Sequence, residues 1–223
     1  MIERSGHLPY TVAIGGVGGS GTRLGSALLQ ILGYYIGDDL NESLDNLWFT
    51  LLFKRRSILM EFKPDLRSLI SLFFMRMSGQ TSFSREQRAW VIRLACEGRL
   101  QHSQEWLQQR ADSFLSDGCL RDTGQPWGWK EPNTHIIIDQ LVETNPDLRY
   151  IHFRRHPIYM ALSANQNQLQ NWGPVLLNRD VGQEPHDSLT FWCAAHRRMD
   201  VLMRRWPGQI MVCLLYTSPS PRD

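Results

Sequence analysis

The sequence predicts an α/β protein in which a three-layer arrangement places helices on both faces of a parallel β-sheet. Three observations predict it: short apolar runs that suit buried strands, stretches with helical apolar spacing between them, and a glycine-rich loop directly after the first run. Alternation of strand and helix implies right-handed crossovers. Ligands of such sheets bind at the carboxyl ends of the strands, so the loops there are where a site is expected.

The order of the elements follows from apolar spacing and from glycine and proline positions. Strands are expected at residues 11–15, 34–36, 127–130, 150–153 and 210–212. Helices are expected at residues 24–32, 47–53, 66–77, 90–95, 106–115, 132–142, from 157 into 165–168, and 188–205. The four helices between residues 47 and 115 interrupt the alternation, which predicts a helical insertion.

Composition limits the class of protein. An apolar fraction of 42% and a charged fraction of 21% are typical of a single globular domain, and a net charge of +2 argues against a nucleic-acid partner. The polar first ten residues do not resemble a signal peptide, and no apolar stretch approaches the ~20 residues of a membrane span, so we expect a cytoplasmic protein. The four cysteines lack metal-ligand spacing, which predicts buried free thiols and no metal site.

The last eleven residues are expected to differ in origin from the rest. Residues 213–223 read CLLYTSPSPRD, which matches the translation of a transposase-type sequencing adapter. A Ser/Pro-rich linker is the alternative. We therefore expect one domain over residues 1–212, incomplete at its C-terminus, and a non-native tail over 213–223.

The glycine loop, Gly15-Gly-Val-Gly-Gly-Ser-Gly-Thr-Arg, follows a strand and opens a helix, which favours an anion site. Three interpretations fit it. The GxGxxG pattern, with Asp38 or Asp39 downstream, is typical of dinucleotide-binding folds. A Walker loop fits less well because its lysine is absent. The third interpretation is a loop that holds a 5'-phosphosulfate through the Ser20-Gly21-Thr22 core.

A second motif decides between these interpretations. Arg155 follows the strand at 150–153, and Ser163 lies eight residues later. An arginine at a strand end can contact a phosphate dianion with two hydrogen bonds, and a serine can add a hydroxyl donor. With the loop upstream and the segment Trp129-Lys-Glu-Pro-Asn between them, the sequence resembles the sulfotransferases that use 3'-phosphoadenosine 5'-phosphosulfate (PAPS), whose fold has a P-loop kinase-like topology.

The resemblance implies roles for particular residues. PAPS would be held by Gly18, Gly19, Ser20, Gly21, Thr22, Arg23, Arg155 and Ser163. Lys130 and Arg23 would stabilise the transferring group, and Asp39 is the preferred acceptor base, with helix capping as its alternative role. Many family members carry Lys or Arg where this chain has Gly19. Arg23 or Lys130 is the expected substitute, and no metal is implied.

The expected function is transfer of a sulfuryl group from PAPS to a hydroxyl or amine of a carbohydrate, protein or small molecule. Two alternatives remain open from the sequence. One is a nucleotide kinase with a divergent loop, which would need magnesium and a second acidic motif. The other is a catalytically silent module that binds 3'-phosphoadenosine 5'-phosphate (PAP).

Overall fold

The computed structural model describes residues 10–122 and 124–215 of the 223-residue chain. Residues 216–223 of the predicted adapter segment lie outside the described residues, as do residues 1–9, on which part of the cytoplasmic prediction depends. Residues 213–215 belong to the last strand described below. The origin of 213–223 stays a prediction.

A parallel sheet forms the centre of the fold, as expected. Its strands in the described residues are β1 (Val12–Gly16), β2 (Gly128–Lys130), β3 (Arg149–Arg155) and β4 (Ile210–Leu215). They lie in the order β2-β1-β3-β4, and every pair is parallel. The α/β prediction is confirmed, and the carboxyl ends of all four strands meet at one edge of the sheet.

The prediction of a strand at residues 34–36 is wrong. Tyr35 makes only an isolated parallel bridge to Trp127. Gly33 and Gly37 on either side have φ angles of 82° and 111°, in the left-handed region, so the extended segment is too short to pair as a strand.

Helices connect the strands and form the insertion. In chain order they are α1 (Thr22–Ile31), α2 (Leu47–Phe53), α3 (Lys63–Met77), α4 (Arg85–Ala95), α5 (Gln104–Leu115), α6 (Ile138–Thr144), α7 (Pro157–Ala161), α8 (Asn167–Leu176) and α9 (Pro185–Arg205). The predicted helical insertion is α2 to α5. The helix expected at 132–142 begins instead as a 3₁₀ turn, Pro132–Ile136, because the Glu131 carboxylate accepts a hydrogen bond from the Asn133 N–H and fixes a tight first turn.

The two faces of the sheet are buried in different ways, since alternate residues of a strand point to opposite faces. Ala13 and Tyr150 belong to the larger core, which includes α2 to α6 and α9. Ile14 and Phe153 face α1. A β-carbon on Gly25 of α1 would lie 2.9 Å from both of these side chains, so the glycine lets helix and sheet approach closely.

The apolar repeat of α1 does not face the core. The helix buries Thr22, Gly25, Ser26 and Leu29, whereas Leu24, Leu28, Ile31 and Leu32 are exposed. The prediction that the four free cysteines are buried is wrong: Cys96 is exposed, and Cys119, Cys193 and Cys213 are partly exposed. Within the described residues, no helix combines the length and apolar character needed to cross a bilayer.

Candidate functional site

The glycine loop joins β1 to α1 through backbone conformations that favour glycine. The Ser20 N–H donates to the Val17 carbonyl at 3.1 Å, which closes a turn, and Gly21, with φ at 89°, directly precedes α1. No side chain in the described part of the chain caps this helix. Its first N–H groups and the positive end of its dipole therefore remain available to an anion.

Ser20 contributes a buried hydroxyl to the same loop. The residue is 1% exposed, and its Oγ has no hydrogen-bond partner among the described residues. A buried hydroxyl without a partner is uncommon in native proteins. Together with the open helix end, it fits a loop that surrounds a phosphate-type group.

The predicted arginine and serine both lie against this loop. Arg155 Nη1 donates to the Gly19 carbonyl at 3.4 Å, and its Nε is buried without a partner among residues 10–122 and 124–215. A β-carbon placed on Gly19 would lie 3.7 Å from Ser163 Oγ. The structure therefore brings two motifs, 136 residues apart at Gly19 and Arg155, to one place at the carboxyl end of the sheet.

Ser163 does not lie two turns along a continuous helix, as the sequence suggested. The helix expected from residue 157 into 165–168 ends at Ala161, and α8 begins at Asn167. The Gln166 side chain donates to the carbonyls of Met160 and Ser163, at 3.2 and 2.7 Å, which satisfies the end of α7. Polar side chains that bond to nearby backbone compete with helix formation, so Ser163 lies in the connecting turn.

The two candidate cations meet at one residue. Arg23 Nη2 donates to Ser43 Oγ at 2.6 Å, and Lys130 Nζ donates to the Ser43 carbonyl at 2.7 Å. Lys130 is 2% exposed and also forms an ion pair with Asp45. The turn at Ser43 thus joins the beginning of α1 to the end of β2.

The acidic residues divide between two surroundings. The Asp39 carboxylate pairs with Arg110 of α5 at 2.9 Å, and burial raises its pKa while Arg110 lowers it. Asp45 instead pairs with Lys130. Burial raises the pKa of Glu131 to about 7, and nearby Lys54 opposes this shift. Both Glu131 oxygens accept hydrogen bonds from Asn133, so this carboxyl primarily caps the following turn.

Sequence reasoning missed the roles of Ser43, Asp45 and Gln168. Gln168 Nε2 donates to the Gly16 carbonyl at 3.1 Å, and its Oε1 lies 3.3 Å from His135 Nε2. It therefore fixes the base of the glycine loop from α8. The polar run at residues 165–168 was the available signal for Gln168, while nothing distinguished Asp45 from its acidic neighbours.

Comparison with known proteins identifies the family. The model of the "Sulfotransferase family" matches residues 11–217. The chain belongs to the sulfotransferase family. This match favours sulfuryl transfer over the nucleotide kinase alternative. No curated protein sequence matches the chain.

Two solved bacterial sulfotransferases are similar to this chain. Sulfotransferase STF1 from Mycobacterium tuberculosis H37Rv is 15% identical, with a TM-score of 0.42, over 93% of this chain and 62% of that protein. Sulfotransferase STF9 from Mycobacterium avium is 16% identical, with the same TM-score, over 93% of this chain and 59% of that one. The chain thus spans about three fifths of the length of either protein.

The residues at the loop fit a phosphorylated nucleotide. Ser20 and Arg155 each present a buried, unpartnered polar atom in the described structure, and α1 presents its N-terminal end. Each of these groups can donate a hydrogen bond, which is the requirement of a phosphate. Among the described residues, no cluster of His, Cys, Asp and Glu is arranged to hold a metal ion.

Proposed function

We propose that this sulfotransferase uses PAPS as donor and transfers its sulfuryl group to a hydroxyl or amine of a carbohydrate, protein or small molecule. The observation that carries the proposal is the meeting of Arg155 and Ser163 with the glycine loop at Gly19. A 5'-phosphosulfate and a 3'-phosphate are the two anionic ends of one nucleotide. Two adjacent groups of donors are what such a ligand requires.

The donor-binding residues divide into two sets. Gly18 to Thr22, with the Arg23 backbone and guanidinium, hold the 5' end. Arg155 and Ser163 hold the 3'-phosphate. When bound, PAPS supplies an activated sulfuryl group as a mixed anhydride with phosphate.

The transfer step needs no metal in this scheme. The acceptor oxygen or nitrogen forms a bond to sulfur while the bond from sulfur to the phosphate oxygen breaks, and PAP leaves with that electron pair. The acceptor proton passes to a carboxylate. Arg23 and Lys130, brought together by Ser43, stabilise the negative charge that accumulates on the bridging oxygen.

Two carboxylates are candidates for the base. Asp39 is the sequence-based candidate, and Arg110 orients its carboxylate. Asp45 is a second candidate, which only the structure indicates, because its carboxylate forms an ion pair with Lys130. Replacement of the true base by Asn lowers kcat about 10²–10⁴-fold while PAP binding is retained. Comparing Asp39→Asn with Asp45→Asn therefore assigns the role.

A second candidate function is a silent PAP-binding module. Gly19 favours it, because this position lacks the cation that many relatives carry there. Such a module binds PAP as tightly as an enzyme but transfers nothing.

We further propose that the protein acts in the cytoplasm on a non-nucleic-acid acceptor.

Calorimetric titration of PAP without magnesium tests the donor site. We expect Arg155→Ala to weaken binding by about 10–100-fold, and Ser163→Ala by about tenfold or less, as charged and neutral hydrogen bonds predict. Arg93→Ala is the matched control, since Arg93 is exposed on α4 away from the loop. A folded wild-type chain that does not bind PAP overturns the proposal. Binding without transfer from radiolabelled PAPS identifies the silent module.

A further inference from the structure

Basic side chains also line a cavity of about 650 Å³ that is separate from the glycine loop. It is formed where the end of α2 and residues 97–100 face α8. The side chains that matter are Lys54, Arg55, Arg56, Glu97, Arg99 and Asn171. Four of the six are cationic and one is anionic. The volume is in the range of small-molecule sites.

The positive charge of the cavity is only partly balanced. Arg55 pairs with Glu97 at 3.7 Å and with Glu61. Arg56 and Arg99 donate mainly to backbone carbonyls, including those of Asn171 and Thr50, both at 2.8 Å. A carbonyl orients a guanidinium but does not neutralise it. Lys54, Arg56 and Arg99 have no carboxylate partner within the described ranges.

Two donor atoms on residues that line the cavity have no hydrogen-bond partner in the described part of the chain. Asn171 is 6% exposed, and its Nδ2 makes no hydrogen bond with any described residue. The same holds for Arg99 Nε. Buried donors are normally paired in native proteins, so two unpaired donors beside unbalanced cations fit a site for an anion.

The field in this region is positive as well. Burial, together with the charges of Lys54 and Arg99, lowers the pKa of His102 to about 4. Burial lowers the pKa of Arg99 to about 10, with Arg55 as the next cause. A negative group in the cavity would oppose the contribution that the neighbouring cations make to both shifts.

Helix α8 connects the cavity to the donor-binding loop. Gln168 donates to Gly16, and Asn171 follows it on α8 by three residues, about 4.5 Å along the helix. Lys54 also acts on the carboxyl of Glu131, the residue after Lys130. The same helix therefore contacts both the cavity and the donor-binding loop.

We propose that this cavity binds an acidic group of the acceptor, so that the acceptor is an anionic molecule with a carboxylate, sulfate or phosphate near the hydroxyl or amine that is sulfated. The part of this inference that concerns an acceptor rests on the proposed function. The anion site itself rests on Lys54, Arg99 and Asn171.

NMR titration with inorganic sulfate, in the presence of excess PAP to fill the donor site, tests the anion site. We expect the Asn171 side-chain amide and the Arg99 Nε–H signals to shift along a saturable curve. Lys54→Gln should raise the sulfate dissociation constant about tenfold, the effect of losing one charged contact. Lys63→Gln, an exposed lysine at the start of α3, should leave it unchanged.

Asn171→Leu provides a second variant if Lys54→Gln fails to fold, because the Arg56 contact is to the Asn171 backbone and survives. Shifts that do not saturate overturn the anion site, as does an equal sulfate affinity in both cavity variants and in Lys63→Gln. PAP binding is measured separately. Its failure overturns the proposed function and leaves the sulfate result to decide the cavity.

Three sugars then test the acceptor class: glucose, glucuronate and glucose 6-sulfate. We expect the two acids to displace sulfate and to shift the Asn171 amide, and glucose to do neither. Equal binding of glucose overturns the assignment to an acidic acceptor. Binding of free sulfate without either acid means that the cavity takes an inorganic anion, which also overturns it.

Discussion

Three buried histidines make the stability of this protein sensitive to mild acid. His135, His152 and His196 are at most 3% exposed. The ring centroid of His152 lies 5.8 Å from that of His135 and 5.1 Å from that of His196. Burial lowers the pKa of His135 to about 3 and that of His196 to about 4, and it holds the pKa of His152 well below its usual range. The neutral forms therefore persist in the folded chain.

The direction of the effect follows from linkage. The unfolded chain takes up three protons near its histidine pKa of about 6.5, which the folded chain resists until far lower pH. Stability from this cluster is complete above that value and is lost as pH falls toward 4. Between pH 7.5 and 5.5 each histidine lowers the free energy of unfolding by about 1.4 kcal/mol, so the three together lower it by about 4 kcal/mol.

Glu131 opposes this loss. Its raised pKa of about 7 means that the folded chain takes up a proton before the unfolded chain does. Over the same interval this uptake adds about 2 kcal/mol of stability. The expected net change from these four groups is a loss of about 2 kcal/mol, a substantial part of the 5–15 kcal/mol typical of a domain. His102, whose pKa is also lowered to about 4, adds to the loss.

Urea unfolding at pH 7.5 and 5.5 measures the net change. His196→Gln should reduce the loss by about one histidine's share, whereas Glu131→Gln should increase it, since the opposing proton uptake is gone. His186→Gln, at an exposed position, is the matched control and should behave as wild type. The reasoning is refuted if Glu131→Gln is as stable at pH 5.5 as at pH 7.5.

Three further perturbations have defined outcomes. Arg76→Ala should lower the free energy of unfolding by about 3–5 kcal/mol, because the 1%-exposed guanidinium binds three carbonyls and stacks on Trp48; Arg76→Lys should restore little of it, and full recovery in denaturant melts would contradict this. Ser84→Ala should cost about 1 kcal/mol by removing the capping box of α4, and an unchanged melt would refute the role. A double-mutant cycle of Lys130→Ala and Asp45→Ala should give a coupling energy of at least about 1 kcal/mol, whereas additive losses would show that the ion pair contributes nothing.

Local patterns predicted most of the fold, because each element carried its own signals. The strand at β1 followed from a β-branched run, and the end of α1 followed from Gly33, whose N–H donates to the Gln30 carbonyl. The segment at Tyr35 had the composition of a strand but lacked the length to pair. Composition alone does not report where the neighbouring strand ends.

The sequence predicted that Ser20, Arg155 and Ser163 come together, because each belongs to a local motif at the end of a strand, and their roles stay predictions. The candidate site was not predictable where a contact depends on long-range packing. The Lys130–Asp45 ion pair joins residues 85 positions apart, and nothing in the sequence ties their registers together. The same reason explains why the sequence did not predict which face of α1 is buried, since its exposed Leu24 face has ordinary helical spacing.

The backbone at Gly19 offers a physical account of its missing cation. Its φ of 86° is one that lysine or arginine would adopt only with strain, and a β-carbon there would lie 3.5 Å from Met160 and 3.7 Å from Ser163. A side chain at this position would therefore need a strained backbone and would lie against the serine assigned to the 3'-phosphate. Arg23 and Lys130 instead both contact Ser43, and neither needs a side chain at position 19. If charge is needed at the bridging oxygen, this arrangement can supply it while the loop keeps its close contact with Ser163.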